Sequence, residues 1–386
     1  MILKNCSIIT QNASREIIPQ GFLVIKKDRI VRLGSRLPEK ISPREKIFDL
    51  GGRTIMPGLV NAHCHLGDSI YKRTVGRLRS PADFLKVIGS LDSKISQAEL
   101  ENRKHKASLK ALTEFLRNGV TTLSGGRGLK EAVSCGVRFL GGAMLKGKED
   151  VVAEVDRIKK ECRSSNFLFP GIFLHSLLEI PPQELYSFKK IAKPFGFIPM
   201  LHLAEFPEEK DLIFEKYGKG RIDLLQEIGL LSKNIRTVVV HGNFLEEKEV
   251  KQLSKYKVGV VLCPVSSRSF GFKTIDPVLL EKYGIKKAVA TDGPLTNPKL
   301  NLFQDVQLLS PKEGDWQKLL DYVTIEAAQV LGIEEKVGSL EPGKFADILV
   351  LRGNPTIKDI LIGGERNIDF IIIGGKYEKP NLPENN

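Results

Sequence analysis

At 386 residues the chain is long enough for one large domain with a small satellite. Its 41% hydrophobic and 27% charged residues are those of an ordinary globular protein, and no apolar run approaches the roughly 20 residues that span a bilayer, so no membrane partner is expected. The formal charge of +13 is interleaved with acids, as in Glu246-Glu247-Lys248-Glu249, which argues against a nucleic-acid partner.

The opening residues Met1 to Cys6 lack the basic start, apolar run and cleavage site of a secretory signal, so a cytoplasmic protein is expected. Short β-prone runs follow at Leu3 to Thr10, Phe22 to Lys26 and Arg29 to Leu33, broken by polar turns. From about Thr54 strand-like and helix-like segments alternate, the mark of a parallel sheet with crossover helices. Strands are predicted near 55–63, 120–125, 137–143, 168–175, 197–203, 235–241, 257–263 and 287–292, with helices such as Ser96 to Arg117 and Leu319 to Leu331. Eight such units predict a closed (β/α)8 barrel of the TIM type over residues 57–337. Strand-like text returns in Ala346 to Arg352 and Phe370 to Ile373, so residues 1–56 and 338–386 are expected to form one discontinuous β-sandwich domain. The tail Lys379 to Asn386 has two prolines and no apolar face, and fraying is expected there. The five cysteines (Cys6, Cys64, Cys135, Cys162, Cys263) show no C-x-x-C spacing and are expected to be reduced.

Chemistry concentrates at the predicted strand ends. His63-Cys64-His65 closes the first barrel strand, and alternate residues of a strand share a face, so both imidazoles project together. Alone, such a pair reads equally well as packed histidines or as two metal ligands. Placement favours ligands, because catalytic groups of these barrels sit at the carboxyl ends of strands. His175, His202 and His241 also fall at strand ends, whereas His105 lies in a charged helical segment and reads as a solvated surface residue. Asp292 ends the eighth strand and offers a carboxylate beside the nitrogen donors, as a catalytic zinc site requires. In His202-Leu203-Ala204-Glu205 the histidine completes a metal shell; the glutamate is either a general acid or base, or an acid stabilising the entry of the next helix.

These motifs resemble the amidohydrolase superfamily, in its branch of mononuclear metal-dependent deaminases and chlorohydrolases. The resemblance spans nearly the whole chain. It rests on Met56-Pro57-Gly58-Leu59-Val60-Asn61-Ala62-His63-Cys64-His65, His202-Leu203-Ala204-Glu205, His241-Gly242, Cys263-Pro264-Val265-Ser266-Ser267, Thr291-Asp292-Gly293 and the closing run Gly338 to Asp347. It implies a metal shell of His63, His65, His202 and Asp292, proton acceptance by His241 and Asp292, protonation of a ring nitrogen by Glu205, and substrate contact by His175. No lysine stands at the end of the fourth strand to bridge two ions, so one divalent metal is expected: zinc first, with iron or manganese compatible with the same donors. The implied reaction is hydrolysis of a carbon–nitrogen bond other than a peptide bond, the deamination of an adenosine-type nucleoside derivative by metal-activated water. Thioethers of adenosine, 5′-deoxyadenosine and aminodeoxyfutalosine are the implied candidates. Alternatives are hydrolysis of a cyclic amide or a carbon–chlorine bond by the same metal site, and a non-catalytic scaffold. A homodimer is left open.

The chain also departs from the branch. Ser176-Leu177-Leu178-Glu179 stands where relatives carry Pro-Tyr-Thr, the loop Gly67 to Arg73 is atypical, and Ser267 replaces a common asparagine, expected at the mouth of the site. Asp68, Arg73 and Arg127 either orient the substrate or are simply solvated loop residues.

Overall fold

Two sheets organise the chain in a computed structural model that describes residues 1–37, 45–71, 87–90, 92–145, 151–182, 185–186, 197–309 and 314–378. The first draws on β1 (Ile2–Ile9), β2 (Ile17–Lys26), β3 (Arg29–Gly34), β4 (Ile47–Asp49) and β5 (Thr54–Pro57). The second sheet comprises β6 (Leu59–Cys64), β7 (Val120–Gly125), β8 (Arg138–Leu145), β9 (Leu168–Ser176), β10 (Ile198–Leu203), β11 (Arg236–His241), β12 (Lys257–Leu262) and β13 (Lys286–Val289). Then β14 (Ile348–Leu351), β15 (Ile368–Ile373) and β16 (Lys376–Glu378) return to the first sheet, in the order β16-β15-β14-β5-β1-β2-β3 with β4 beside β1. Both ends of the chain thus build one mixed sheet.

Every neighbouring pair from β6 to β13 is parallel, and a bridge between Cys64 and Asp292 brings the last unit back against β6, completing a TIM-type barrel. Strands β6 and β7 are buried along their whole length, as expected where helices cover a parallel sheet. The run 55–63 is not one strand. It divides at Gly58 into β5 and β6, which serve different sheets, and a Cβ at Gly58 would lie 2.1 Å from the Thr121 hydroxyl oxygen. Only glycine lets the chain change sheets so close to β7.

The helix Gln97–Arg117 starts at Ser96, whose hydroxyl accepts the Glu99 N–H at 3.3 Å, and it buries Leu100, Ala111, Leu112 and Phe115. The single helix expected over Leu319 to Leu331 is instead two, Trp316–Asp321 and Ile325–Val330. The break is at Thr324, whose hydroxyl donates to the Leu320 carbonyl at 2.6 Å and accepts from the buried Gln11 side chain at 2.9 Å. Gln11 arrives from the terminal sheet and needs these partners, so a tertiary demand overrides the local helical pattern. Among the described residues, no helix is long and apolar enough to cross a membrane. The tail from Lys379 and the loop residues Lys72 and Arg73 lie outside the described residues.

Candidate active site

At the carboxyl ends of the barrel strands, ligand atoms of His63, His65, His202 and Asp292 all lie within 4.8 Å of one another. The Nε2 atoms of His63 and His65 are 3.1 Å apart, and each is 3.3 Å from Nε2 of His202. Asp292 Oδ1 is 3.4 Å from both His63 Nε2 and His65 Nε2. Four donors about 2.05 Å from a shared ion stand about 3.3 Å apart in a tetrahedral arrangement, so these separations suit zinc or a similar ion.

The protonation states point the same way. His202 Nδ1 lies 2.8 Å from the His175 carbonyl oxygen, which only accepts; Nδ1 therefore carries the proton and Nε2 presents a lone pair. Burial holds the His202 pKa well below the usual imidazole value and pushes that of His63 down to about 3. His202 thus turns a lone pair toward the Nε2 atoms of His63 and His65 at 3.3 Å, an arrangement that a cation between the three nitrogens would satisfy. Burial would raise the Asp292 pKa, but the His63 contact and the neighbouring imidazoles outweigh it and keep the carboxylate ionised. Its second oxygen, Oδ2, accepts hydrogen bonds from the hydroxyls of Ser266 at 2.6 Å and Thr296 at 3.0 Å. Beneath the cluster the Phe173 ring stacks on His63, with centroids 4.9 Å apart.

Three of the supporting residues have left-handed backbones although none is glycine: Ala204 (φ 56°), His241 (φ 74°) and Asp292 (φ 56°). Such conformations gather at functional sites, where side chains must leave the regular strand alternation. The turns turn Glu205 and His241 toward each other, with His241 Nε2 3.7 Å from Glu205 Oε1. Burial pushes the His241 pKa down to about 4. Burial, with the charges of Asp292, Glu209 and Glu179, pushes that of Glu205 well above the usual carboxyl range. The two shifts run in opposite directions: the Glu205 carboxyl holds its proton more readily than an ordinary carboxyl, and the His241 imidazole takes one up less readily than an ordinary imidazole.

A cavity opens over the cluster, lined by His65, His175, His202, Glu205, Asp292, Phe270, Leu295 and Thr296. It joins a second chamber through shared walls of His65, Asp68 and His175; beyond them stand Glu101, Lys104 and Arg127.

The amidohydrolase family model matches residues 54–377. The chain belongs to the amidohydrolase family. Among its relatives, a 5-methylthioadenosine/S-adenosylhomocysteine deaminase from Thermodesulfovibrio yellowstonii is 24% identical over 369 residues, covering 89% of this chain and 83% of the relative. A protein of the same name from Clostridium tetani is 26% identical over 410 residues, covering 97% and 92%. The fold is shared with a zinc-bound adenosine deaminase from Xanthomonas campestris (TM-score 0.85, 19% identity, 100% and 94% covered) and with E. coli guanine deaminase (TM-score 0.80, 19% identity, 99% and 100% covered).

In this amidohydrolase the residues singled out from sequence meet at one face, with differences of detail. His175 contributes its carbonyl to His202 and its ring to both chambers, and its Nδ1 lies 2.8 Å from Glu179 Oε2. Glu179 belongs to the stretch that departs from the family pattern, so the departure reaches the cavity wall. Asp68 lines both chambers, 3.9 Å from His65 Nδ1, and Arg127 lies 3.9 Å from Glu101. Ser267 is not at the mouth: it is buried, and its hydroxyl donates to Asn243 Oδ1 at 3.1 Å. His105 is half exposed and pairs with Glu131 at 2.7 Å. Sequence reasoning missed Phe270, Thr296 and Glu209, and gave Ser266 no role. Only the motif run at 263–267 pointed toward one of them.

Proposed function

We propose that this amidohydrolase binds one divalent ion, zinc by preference, through His63, His65, His202 and Asp292, and hydrolytically deaminates an adenosine-type nucleoside derivative. The observation that carries the reading is Glu205 Oε1 standing 3.7 Å from His241 Nε2 beside a four-donor cluster, with the Glu205 pKa raised and the His241 pKa lowered. A bound zinc ion would supply a Lewis acid that lowers the pKa of coordinated water to about 7.

The protein's own groups supply the rest. Attack of water on an amidine-like ring carbon is favoured by a proton on the adjacent ring nitrogen, which the Glu205 carboxyl would give, and the amino group leaves as ammonia once it takes up the proton that the water gave up. His241 is neutral and Asp292 ionised, so both are able to accept the proton that the attacking water gives up. Phe270 and Leu295 give the planar ring an apolar wall, and His175 lines the same cavity where it meets the second chamber. The relatives named as 5-methylthioadenosine/S-adenosylhomocysteine deaminases support a nucleoside with a thioether substituent, for which the second chamber offers room.

The test is ammonia release from 5′-methylthioadenosine, S-adenosylhomocysteine, adenosine and guanine by zinc-loaded protein, before and after chelation. The expected outcome is turnover of an adenosine derivative that chelation abolishes and added zinc restores. Silence on all four, with turnover of a lactam or a chlorotriazine, would reject deamination in favour of the other hydrolytic reading.

A further inference from the structure

Glu209 opens the helix Glu209–Tyr217, is 3% exposed, and folds its carboxylate back over the loop ahead of it. Oε1 accepts the Ala204 N–H at 2.6 Å and Oε2 accepts the Glu205 N–H at 3.0 Å. Two successive N–H groups beside a left-handed residue form a concavity suited to an anion, and here the anion is the protein's own side chain. Other contacts hold the same loop by its carbonyls. Phe244 N–H donates to the Ala204 carbonyl at 2.9 Å, and the Asn243 side-chain amide donates to the Glu205 carbonyl at 3.2 Å. Both peptide units flanking Glu205 are therefore fixed.

Ordinary helix capping does not account for this arrangement. In the next barrel unit Glu249 also folds back, accepting the Glu246 N–H at 2.9 Å, but its carboxylate is matched by Arg221 at 2.8 and 2.7 Å. Among the described residues no lysine or arginine forms an ion pair with Glu209. A buried carboxylate without such a partner is costly, and burial pushes its pKa up to about 6. What it gains is the left-handed turn at Ala204, which a non-glycine residue rarely adopts unaided.

We propose that Glu209 is a positioning residue whose two-point grip on the Ala204 and Glu205 amides aims the Glu205 carboxyl into the cavity. The inference rests on the reading of Glu205 as the proton donor. Glutamine at this position keeps the shape but turns an NH2 group toward one of the two N–H donors, so Glu209→Gln loosens the turn.

Wild type, E209Q, E205Q and E205Q/E209Q are compared on the nucleoside that the wild type deaminates, together with metal content and unfolding temperature. For E209Q the expected result is full metal occupancy, KM within about 3-fold and kcat lower by roughly 10- to 100-fold, the scale of a small misplacement of a reacting group. In the E205Q background the same change should have little further effect, because Glu209 acts through Glu205. Ala204→Gly added to E209Q should recover kcat at least about 3-fold, since glycine adopts the turn without strain, and it is the variant to use if E209Q alone does not fold. An equal loss in both backgrounds, a raised KM with kcat unchanged, or loss of metal would overturn the proposal. A wild type silent on every nucleoside rejects the deaminase reading instead. Crystal structures of wild type and E209Q then decide: displacement of the Glu205 carboxyl from His241 supports the grip, and an unmoved carboxyl overturns it.

Discussion

The two ends of the barrel treat buried charge differently. Where strand feet meet the terminal sheet, charges are matched. The Arg138 guanidinium, 1% exposed, donates to both Asp347 oxygens at 2.5 and 2.9 Å and lies over the Phe345 ring, 3.4 Å from its centroid. Arg15 pairs with Asp321 at 2.9 Å, and Lys287 with Glu281 and Glu326 at 3.1 and 3.5 Å. At the opposite end Arg221 and Glu249 are also paired, but the buried Glu209 and Asp305 and the largely enclosed Glu205 have no ion pair to any described lysine or arginine, and burial raises all three pKa values. Left-handed backbones at non-glycine residues occur at both ends, at Gln11 and Arg15 as well as at Ala204, His241 and Asp292, so it is charge and not backbone strain that separates them. One end of the barrel matches its buried charges, and the other keeps carboxyls without a cationic partner beside its chemistry.

Substitutions at the two ends should therefore have opposite signatures, and the largest effects make the sharpest contrast. Glu205→Gln removes the proton donor, and kcat is expected to fall by about 10²- to 10⁴-fold. Chemical denaturation of the same variant should show stability held or increased, because the amide replaces a carboxyl whose ionised form burial disfavours. Asp347→Asn should do the reverse: a loss of roughly 3–5 kcal/mol in denaturant unfolding, because Arg138 is left as an uncompensated buried cation, with kcat per folded molecule unchanged. If E205Q unfolds readily, or if D347N is stable but inactive, the division between the two ends is wrong.

That division also explains what was legible in the sequence. The matched, regular part was readable: seven of the eight strand-like segments and the helix from Ser96 to Arg117 follow from apolar patterning and a cap residue and were found as single elements, while 55–63 divides into two strands. Reading failed where a tertiary demand intervened. Nothing local in 55–63 says that the chain changes sheets at Gly58, because the reason is the Thr121 side chain on β7. The helix break at Thr324 depends on Gln11, more than three hundred residues away. At the site, His63 and His65 were visible because simple strand alternation sets both rings on one side. Ser266, Thr296 and Glu209 were not, since left-handed turns decide which way neighbouring side chains point and periodicity carries no trace of them.

An intermediate effect tests the claim that burial, rather than pairing, dominates the catalytic end. Folded protein keeps His241 neutral down to about pH 4, whereas in the unfolded chain the imidazole titrates near its ordinary 6.5. Between those values the unfolded state binds the extra proton, so stability is lost as pH falls through that window. A shift of about 2.5 units corresponds to roughly 3 kcal/mol. Urea unfolding of chelator-treated protein at several pH values, for wild type and His241→Asn, should show a steeper acid loss in the wild type by about that amount. Parallel curves would mean that the imidazole is not held neutral by burial.

The smallest expected effect probes the carboxylate that belongs to the metal shell itself. Asp292 offers Oδ1 to the histidine cluster and keeps Oδ2 on the Ser266 and Thr296 hydroxyls. Ser266→Ala removes the shorter of those two bonds and leaves the other, so the carboxylate can rotate but is not stranded. Loss of such an outer partner typically weakens metal binding by about 10- to 100-fold, or roughly 1.4–2.7 kcal/mol. Competition with a chromogenic zinc chelator measures this directly, and global stability in urea should barely move because the hydroxyl serves the ligand rather than the core. A weakening of zinc binding with unchanged unfolding would show that orientation at this end is maintained by a few directed bonds. Unchanged zinc affinity would mean instead that the barrel backbone at Asp292 fixes the ligand without them.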